Sequence, residues 1–300
     1  PAASAADSGN QEGIFGYGQD GVGAGKSSVT NLVSNAGVVA TDTTGVGTIR
    51  ETLAACEYGG DKGIFGFGEG VGSTLTAITN LVSNAGVVAT DTAGVGTARN
   101  AIAACSYGED KGIFGFGLSG SAVGMTNLVS NAGVVATDVA AVGTAKQYLM
   151  ACEFGGDKGI FGFGHSSWPS VISITNLVSN VGVVATDTAG VGTARTQGAA
   201  CGYGNDKGIF GFGNDGSNTA VTNLVSNTGV VASDVAGIGT ARTLLAATQY
   251  GGDKGIFGYG MVSGVSYYSM TNLVTNAGVV GTDVTGVGTD RSNLAACSFN

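Results

Sequence analysis

Few residues of this 300-residue chain could do chemistry, and their spacing limits what that chemistry could be. His165 is the single histidine, so a metal centre built from several imidazoles is unavailable, and a Ser-His-Asp triad would have to recruit His165 from a loop. No nucleophile-elbow motif accompanies it. Five cysteines, Cys56, Cys105, Cys152, Cys201 and Cys297, occupy one position of a repeat, with Thr248 at that position in the remaining copy. They show no CxxC pairing of the kind that builds zinc or redox sites. Equivalent positions on neighbouring units lie beyond disulfide reach, roughly 7 Å between Cα atoms, unless they crowd an axis, so a ring of buried free thiols is expected. The stretch "DGVGAGKSS", Asp20 to Ser28, has the composition of a phosphate-binding loop, but Asp20 stands where that motif needs Gly, and a strand pattern follows where it needs a helix.

Six aspartates, Asp42, Asp91, Asp138, Asp187, Asp234 and Asp283, are each followed by a basic residue, from Arg50 to Arg291. A reactive group is not needed six times, whereas a bond that ties each unit to its loop is. Structural pairing between each aspartate and the basic residue after it is therefore expected, as are solvated hairpin tips at the Asp-Lys turns such as Asp61 and Lys62. No catalytic residue, metal or cofactor is assigned, and the chain reads as a non-enzyme.

These residues recur because the elements that carry them recur. "TNLVSNAGVVATDTAGVGTAR" begins at Thr79, and close copies start at Thr30, Thr126, Thr175, Thr222 and Thr271, spaced by 49, 47, 49, 47 and 49 residues. Such a period marks one repeat architecture over residues 1–300 rather than separate globules. Within one unit, "TLAACEY" reads as a strand, "GGDKG" as a hairpin turn and "GIFGFG" as a second strand. "TNLVS" is a third strand, "NAG" a turn and "VVATDT" a fourth. Alternation along the second strand predicts Phe65 and Phe67 on one side, with Ile64, Gly66 and Gly68 on the other. One sheet's aromatics can then fill the bare face of the next. After Arg291 the chain adds "SNLAACSF", a further first strand, while "PAASAADSGNQ" at the start is a decayed copy with Ala6 in place of Cys. The last strand, residues 294–299, is therefore expected to complete the unit begun at Gly13, which removes open edges.

The 56 glycines and 2 prolines suit tight turns and close sheet packing, and glycine does not fall at every third residue as in collagen. The net charge is −9, and of the 12 basic residues only Lys26 stands outside the repeat pattern. No basic stripe for nucleic acid exists, and no apolar run is long enough to insert in a membrane. Pro1 in place of Met reads as a processed or trimmed start, with no signal peptide visible.

The layout resembles the kelch family of β-propellers: an Arg opening the first strand, small residues, a turn, an aromatic strand ending in Gly, a variable loop and a strand pair. The double glycine follows the first strand here ("YGGDKG"), and the Trp usual in the fourth strand is missing. The near-verbatim units are also similar to propeller repeats encoded by tailed phages and marine microbes. The resemblance implies an all-β, six-bladed propeller of four-stranded antiparallel blades, closed by the C-terminal strand. An open β-solenoid is the alternative. Neither the histidines of a galactose-oxidase-type copper site nor the "SxDxGxTW" signature of sialidase propellers is present.

The loops between second and third strands share almost nothing from copy to copy, from "QDGVGAGKSSV" to "MVSGVSYYSM". These loops are expected on the same face as the connections between units. Of 22 aromatics, 18 are repeat words; Tyr148, Trp168, Tyr267 and Tyr268 are not, and all four fall on that face. Flat aromatic rings suit sugars and protein hot spots. With His165 they form the candidate ligand-binding set. The expected function is recognition of a glycan or surface protein, as part of a virion or an extracellular surface. The alternatives are a purely architectural virion or self-assembly subunit and, more remotely, a propeller hydrolase.

Overall fold

The computed structural model of the chain describes residues 10–21, 25–140, 142–262 and 266–300. The fold is all-β, built from small antiparallel sheets. Sheet 1 comprises Glu12–Asp20, Lys26–Val33 and Ala295–Phe299, and sheet 2 comprises Ala54–Tyr58, Lys62–Gly66 and Thr79–Val82. Sheet 3 holds Ala103–Tyr107, Lys111–Gly115 and Thr126–Val129, and sheet 4 holds Met150–Phe154, Lys158–Gly162 and Thr175–Val178. Sheet 5 holds Ala199–Tyr203, Lys207–Asn214 and Asn218–Val225, and sheet 6 holds Ala246–Tyr250, Lys254–Gly258 and Thr271–Val274. The register repeats from sheet to sheet: Cys56 faces Ile64 and Phe65 faces Asn80, as Cys152 faces Ile160 and Phe161 faces Asn176. The C-terminal strand pairs with the first one, Gly13 opposite Ser298 and Ile14 opposite Cys297. Of the expected amino-terminal copy, residues 1–9 lie outside the described residues.

The expected fourth strand is not continuous. The segment after the Asn-Ala-Gly turn meets the third strand only through two isolated bridges, Val82 to Val88 and Thr79 to Thr92 in sheet 2. Between them, the Asn80 side chain donates from Nδ2 to the Ala89 carbonyl at 3.0 Å and to Asp91 at 2.9 Å. A buried side chain takes over from the ladder, and the outer segment is held by its amide. All six sheets use this device.

The second aromatic also departs from alternation. Phe67 lies at φ 63°, and its five counterparts Tyr17, Phe116, Phe163, Phe212 and Tyr259 lie between 61° and 66°. A left-handed residue ends the period-two pattern and turns its side chain to the opposite face. Phe65 therefore packs toward sheet 1, its ring 5.1 Å from Tyr17, while Phe67 packs toward sheet 3, 5.1 Å from Phe114. The bare face does receive the first aromatic: a Cβ added at Gly66 would lie 2.7 Å from the Phe114 ring, and one at Gly16 2.8 Å from Phe65.

Contacts of this type run from each sheet to the next and from sheet 6 to sheet 1, where Phe15 stacks on Tyr259 at 5.1 Å. Two cycles of backbone hydrogen bonds accompany them. At one end, N–H groups of Thr52, Ala101, Tyr148, Gln197, Leu244 and Asn293 each donate to the carbonyl of the preceding member, and Thr52 donates to Asn293. At the other end, Gly59 donates to Asp110, Gly108 to Asp157, Gly155 to Asp206, Gly204 to Asp253, Gly251 to Gln11 and Asn300 to Asp61.

Candidate functional site

The variable loops leave the second strands at the end that carries the Thr52–Asn293 cycle. In sheets 1 and 5 they extend the two strands, and in sheets 3, 4 and 6 they form short hairpins of their own. Linker residues bridge to the loops: Glu51 pairs with Glu69, Asn100 with Leu118, Gln147 with His165, Thr196 with Asn214 and Thr243 with Met261. Loops and linkers thus share one face.

Of the candidate residues, the structure brings His165 and Trp168 together in the hairpin of sheet 4, with ring centroids 4.9 Å apart. Trp168 is 78% exposed, the highest value among the large hydrophobic residues described. His165 is buried, and neither ring nitrogen makes a hydrogen bond of normal geometry. Burial holds its pKa below the ordinary imidazole value, only partly offset by the Ser170 backbone. The other three residues stand apart from this pair. Tyr148 is half-buried and lines a cavity of about 70 Å³ with Leu149, Gln197 and Leu244. Burial raises its phenol pKa, with Glu51 and Glu69 adding to the effect. Tyr267 packs over Gly21 of sheet 1, and Tyr268 is half-buried.

Lys26 holds no phosphate-loop geometry. It lies in a strand of sheet 1 and pairs with Glu69 at 2.8 Å and Glu51 at 3.2 Å, clasping two neighbouring loops. Glu69 accepts a further bond from Asn100, and Glu51 one from Asn293.

The six aspartates bond to the threonine of a linker rather than to the basic residue that follows; for five of them that threonine lies earlier in the chain, and for Asp42 it is Thr289. Asp91 accepts from the Thr48 hydroxyl at 2.6 Å and backbone at 3.1 Å, and Asp42 accepts in the same way from Thr289. The nearest guanidinium is the preceding one, Arg99 to Asp138 at 3.8 Å. The reason is the return path of the outer segment, which ends beside the linker that opened its own sheet. Each arginine is fully buried: Arg50 donates to the Phe67 carbonyl, the Thr48 carbonyl and Asn80 Oδ1, and its guanidinium lies 4.3 Å from the Tyr17 ring centre. The Asp-Lys turns are hairpin tips as expected, with Lys111 and Asp110 2.5 Å apart and both partly exposed.

A cavity of about 50 Å³ is lined by strands of all six sheets. The five cysteines are free and buried there, each thiol against the glycine of the next sheet, as Cys56 lies against Gly112. Burial pushes their pKa up, so they are inert thiols. Among the described residues no three or more His, Cys, Asp or Glu side chains converge to hold a metal.

The residues missed in the sequence are the next ones along: Glu57, Ser106, Glu153, Gly202, Gln249 and Ser298, which close this cavity at the hairpin-tip end. Ser106 Oγ donates to Glu153 at 2.8 Å, and Ser298 Oγ donates to Glu57. Burial raises both carboxyl pKa values above the ordinary range, and the charge of Glu57 adds to the effect on Glu153. Their signal was the most variable position of a strand that is otherwise nearly constant. No helix among the described residues is long and apolar enough to cross a membrane. No known protein family and no curated protein matches the chain.

Proposed function

We propose that the chain is a closed, six-bladed, kelch-like β-propeller, and that it is a non-enzymatic recognition module. Its constant strands are scaffold, and its variable loops bind a glycan or surface protein on a virion or an extracellular surface. The cycles of hydrogen bonds and the paired terminal strands support the closed ring. The observation that carries the binding reading is Trp168: 78% exposed, standing on the buried ring of His165, and mounted on a loop that no other unit repeats. An exposed indole held by a buried ring presents a flat apolar face at little entropic cost, which suits stacking against a sugar or a protein hot spot.

A glycan array and a cell-surface binding screen test this. Trp168→Ala is expected to weaken every genuine hit by about tenfold or more, the scale of a hot-spot truncation. Hits indifferent to both Trp168→Ala and Tyr267→Ala would remove the proposed face.

A second reading, an architectural subunit, is favoured by a different observation. Val38, Val87, Val134, Val183, Val230 and Val279 are 57–65% exposed at equivalent turns on the opposite end from the loops. Six such valines could meet neighbouring subunits. Mass measurement in solution separates the two: a monomer at high concentration counts against the assembly reading.

A further inference from the structure

In order around the molecule, the residues that close the cavity lined by all six sheets are Ser298, Glu57, Ser106, Glu153, Gly202 and Gln249. Long and small side chains alternate, and each long one leans over the small one of the preceding sheet. Ser298 donates to Glu57 and Ser106 donates to Glu153, while a Cβ added at Gly202 would collide with Gln249 Nε2. A sixfold scaffold thus carries a threefold set of polar heads, two carboxyls and one carboxamide. The alternation runs through the chain: repeat starts alternate between 49 and 47 residues, and the turn residues Gly60, Glu109, Gly156, Asn205 and Gly252 alternate with them. Beyond the heads the cavity opens to about 380 Å³, lined also by Asn10, Glu109 and Asp110.

Thr248 supplies an independent observation. It is 4% exposed, lines the same cavity and carries a hydroxyl with no hydrogen-bond partner. Its methyl group takes the place against Gly13 that the thiols take against glycine in the other five sheets, which leaves the oxygen as the free branch. A buried hydroxyl without a partner costs stability unless something in the cavity meets it. Two carboxylates facing one enclosed space also repel when both are ionised.

We propose that this threefold set holds one hard divalent cation such as Ca²⁺ on the axis, with oxygens from Glu57, Glu153 and Gln249 as side-chain ligands and water completing the shell. Two carboxylates balance the charge, the oxygen-only donor set matches a hard cation, and the thiols of the layer behind do not compete for it. The site is separate from the loop face and stands or falls without it.

Equilibrium dialysis of the full chain against radioactive Ca²⁺ alone is the test. About one ion per chain is expected. Glu57→Gln/Glu153→Gln should weaken binding by about tenfold or more, while Glu109→Gln/Asp110→Asn, which alters only the outer cavity, should leave it within about twofold. Near-UV circular dichroism checks that the variants fold; if the first does not, Glu57→Ser/Glu153→Ser replaces it, with the residue the chain itself uses in sheets 1 and 3. No saturable binding, binding that survives the axial variant, or equal loss in the outer variant would each overturn the proposal.

Discussion

Each buried guanidinium bonds to one sheet and packs over an aromatic ring of the sheet before it, and Lys146 shows what the arrangement requires. It occupies the arginine position of sheet 4, packs over Phe116 with its ammonium 4.6 Å from the ring centre, and reaches Asn176, but its single nitrogen does not also bond the carbonyls that the separate nitrogens of Arg50 and Arg99 satisfy. Burial pushes its pKa down to about 8. Lys146→Arg is therefore expected to stabilise the fold at neutral pH by about 1 kcal/mol, the net worth of an added hydrogen bond. Denaturant unfolding measures it. The sign with pH follows from linkage: between about 8 and the ordinary lysine value the unfolded chain binds more protons, so the wild type gains stability as pH rises through that window. The advantage of Lys146→Arg should shrink there, and a pH-independent difference would contradict the assignment.

Within each sheet the element is defined by one glycine and one left-handed aromatic. Gly66 sits where the Phe114 ring enters, with 2.7 Å to an added Cβ, and the aromatic is fully buried with little room to withdraw. Gly66→Ala should cost about 1–3 kcal/mol, as overpacking does, and the loss should appear in thermal or denaturant unfolding. Gly72 offers a contrast in the same loop region, since nothing lies within 4 Å of an added Cβ, although its φ of 65° disfavours alanine on backbone grounds alone. Between its two backbone bridges the outer segment is held by the Asn80 amide. Asn80→Ala removes bonds to Ala89 and Asp91 and leaves Arg50 without its 2.7 Å partner. Hydrogen exchange at the Ala89 and Thr92 amides of that segment should then accelerate more than exchange in Lys62–Gly66; uniform acceleration would mean that the segment is held otherwise.

At the scale of the whole molecule, six aspartates clasp the linkers, and all six are shifted in the same direction. Partial burial alone would raise their pKa values, but hydrogen bonds from the linker threonines and the buried asparagines, with the nearby basic side chains, outweigh it and lower them. A lowered folded-state pKa contributes stability that is present above the unfolded value, about 3.9, and is lost as pH falls through the folded value. Acid should therefore unfold the chain cooperatively, and Asp91→Asn/Asp187→Asn should be less stable at neutral pH yet show a shallower loss below about pH 4. Urea midpoints across that range check it; parallel curves for the variant and the wild type would count against the clasps.

The sequence alone determined the repeat, the three principal strands of each unit and the pairing of the last strand with the first, because period, turn residues and strand alternation are local signals that six copies reinforce. It also marked the loops as the variable face and His165 and Trp168 as residues outside the pattern. Tertiary structure decided the rest. Whether Phe67 turns toward the sheet before or the sheet after depends on a positive φ that its residue type does not announce. The threonine partner of five aspartates lies some forty residues back and that of Asp42 lies 247 residues ahead, each on a linker that only the folded return path brings near. That Glu57, Glu153 and Gln249 line one cavity depended on strands of all six sheets bordering it, since residues 96 apart in sequence share a cavity only when the sheets between them fix the distance.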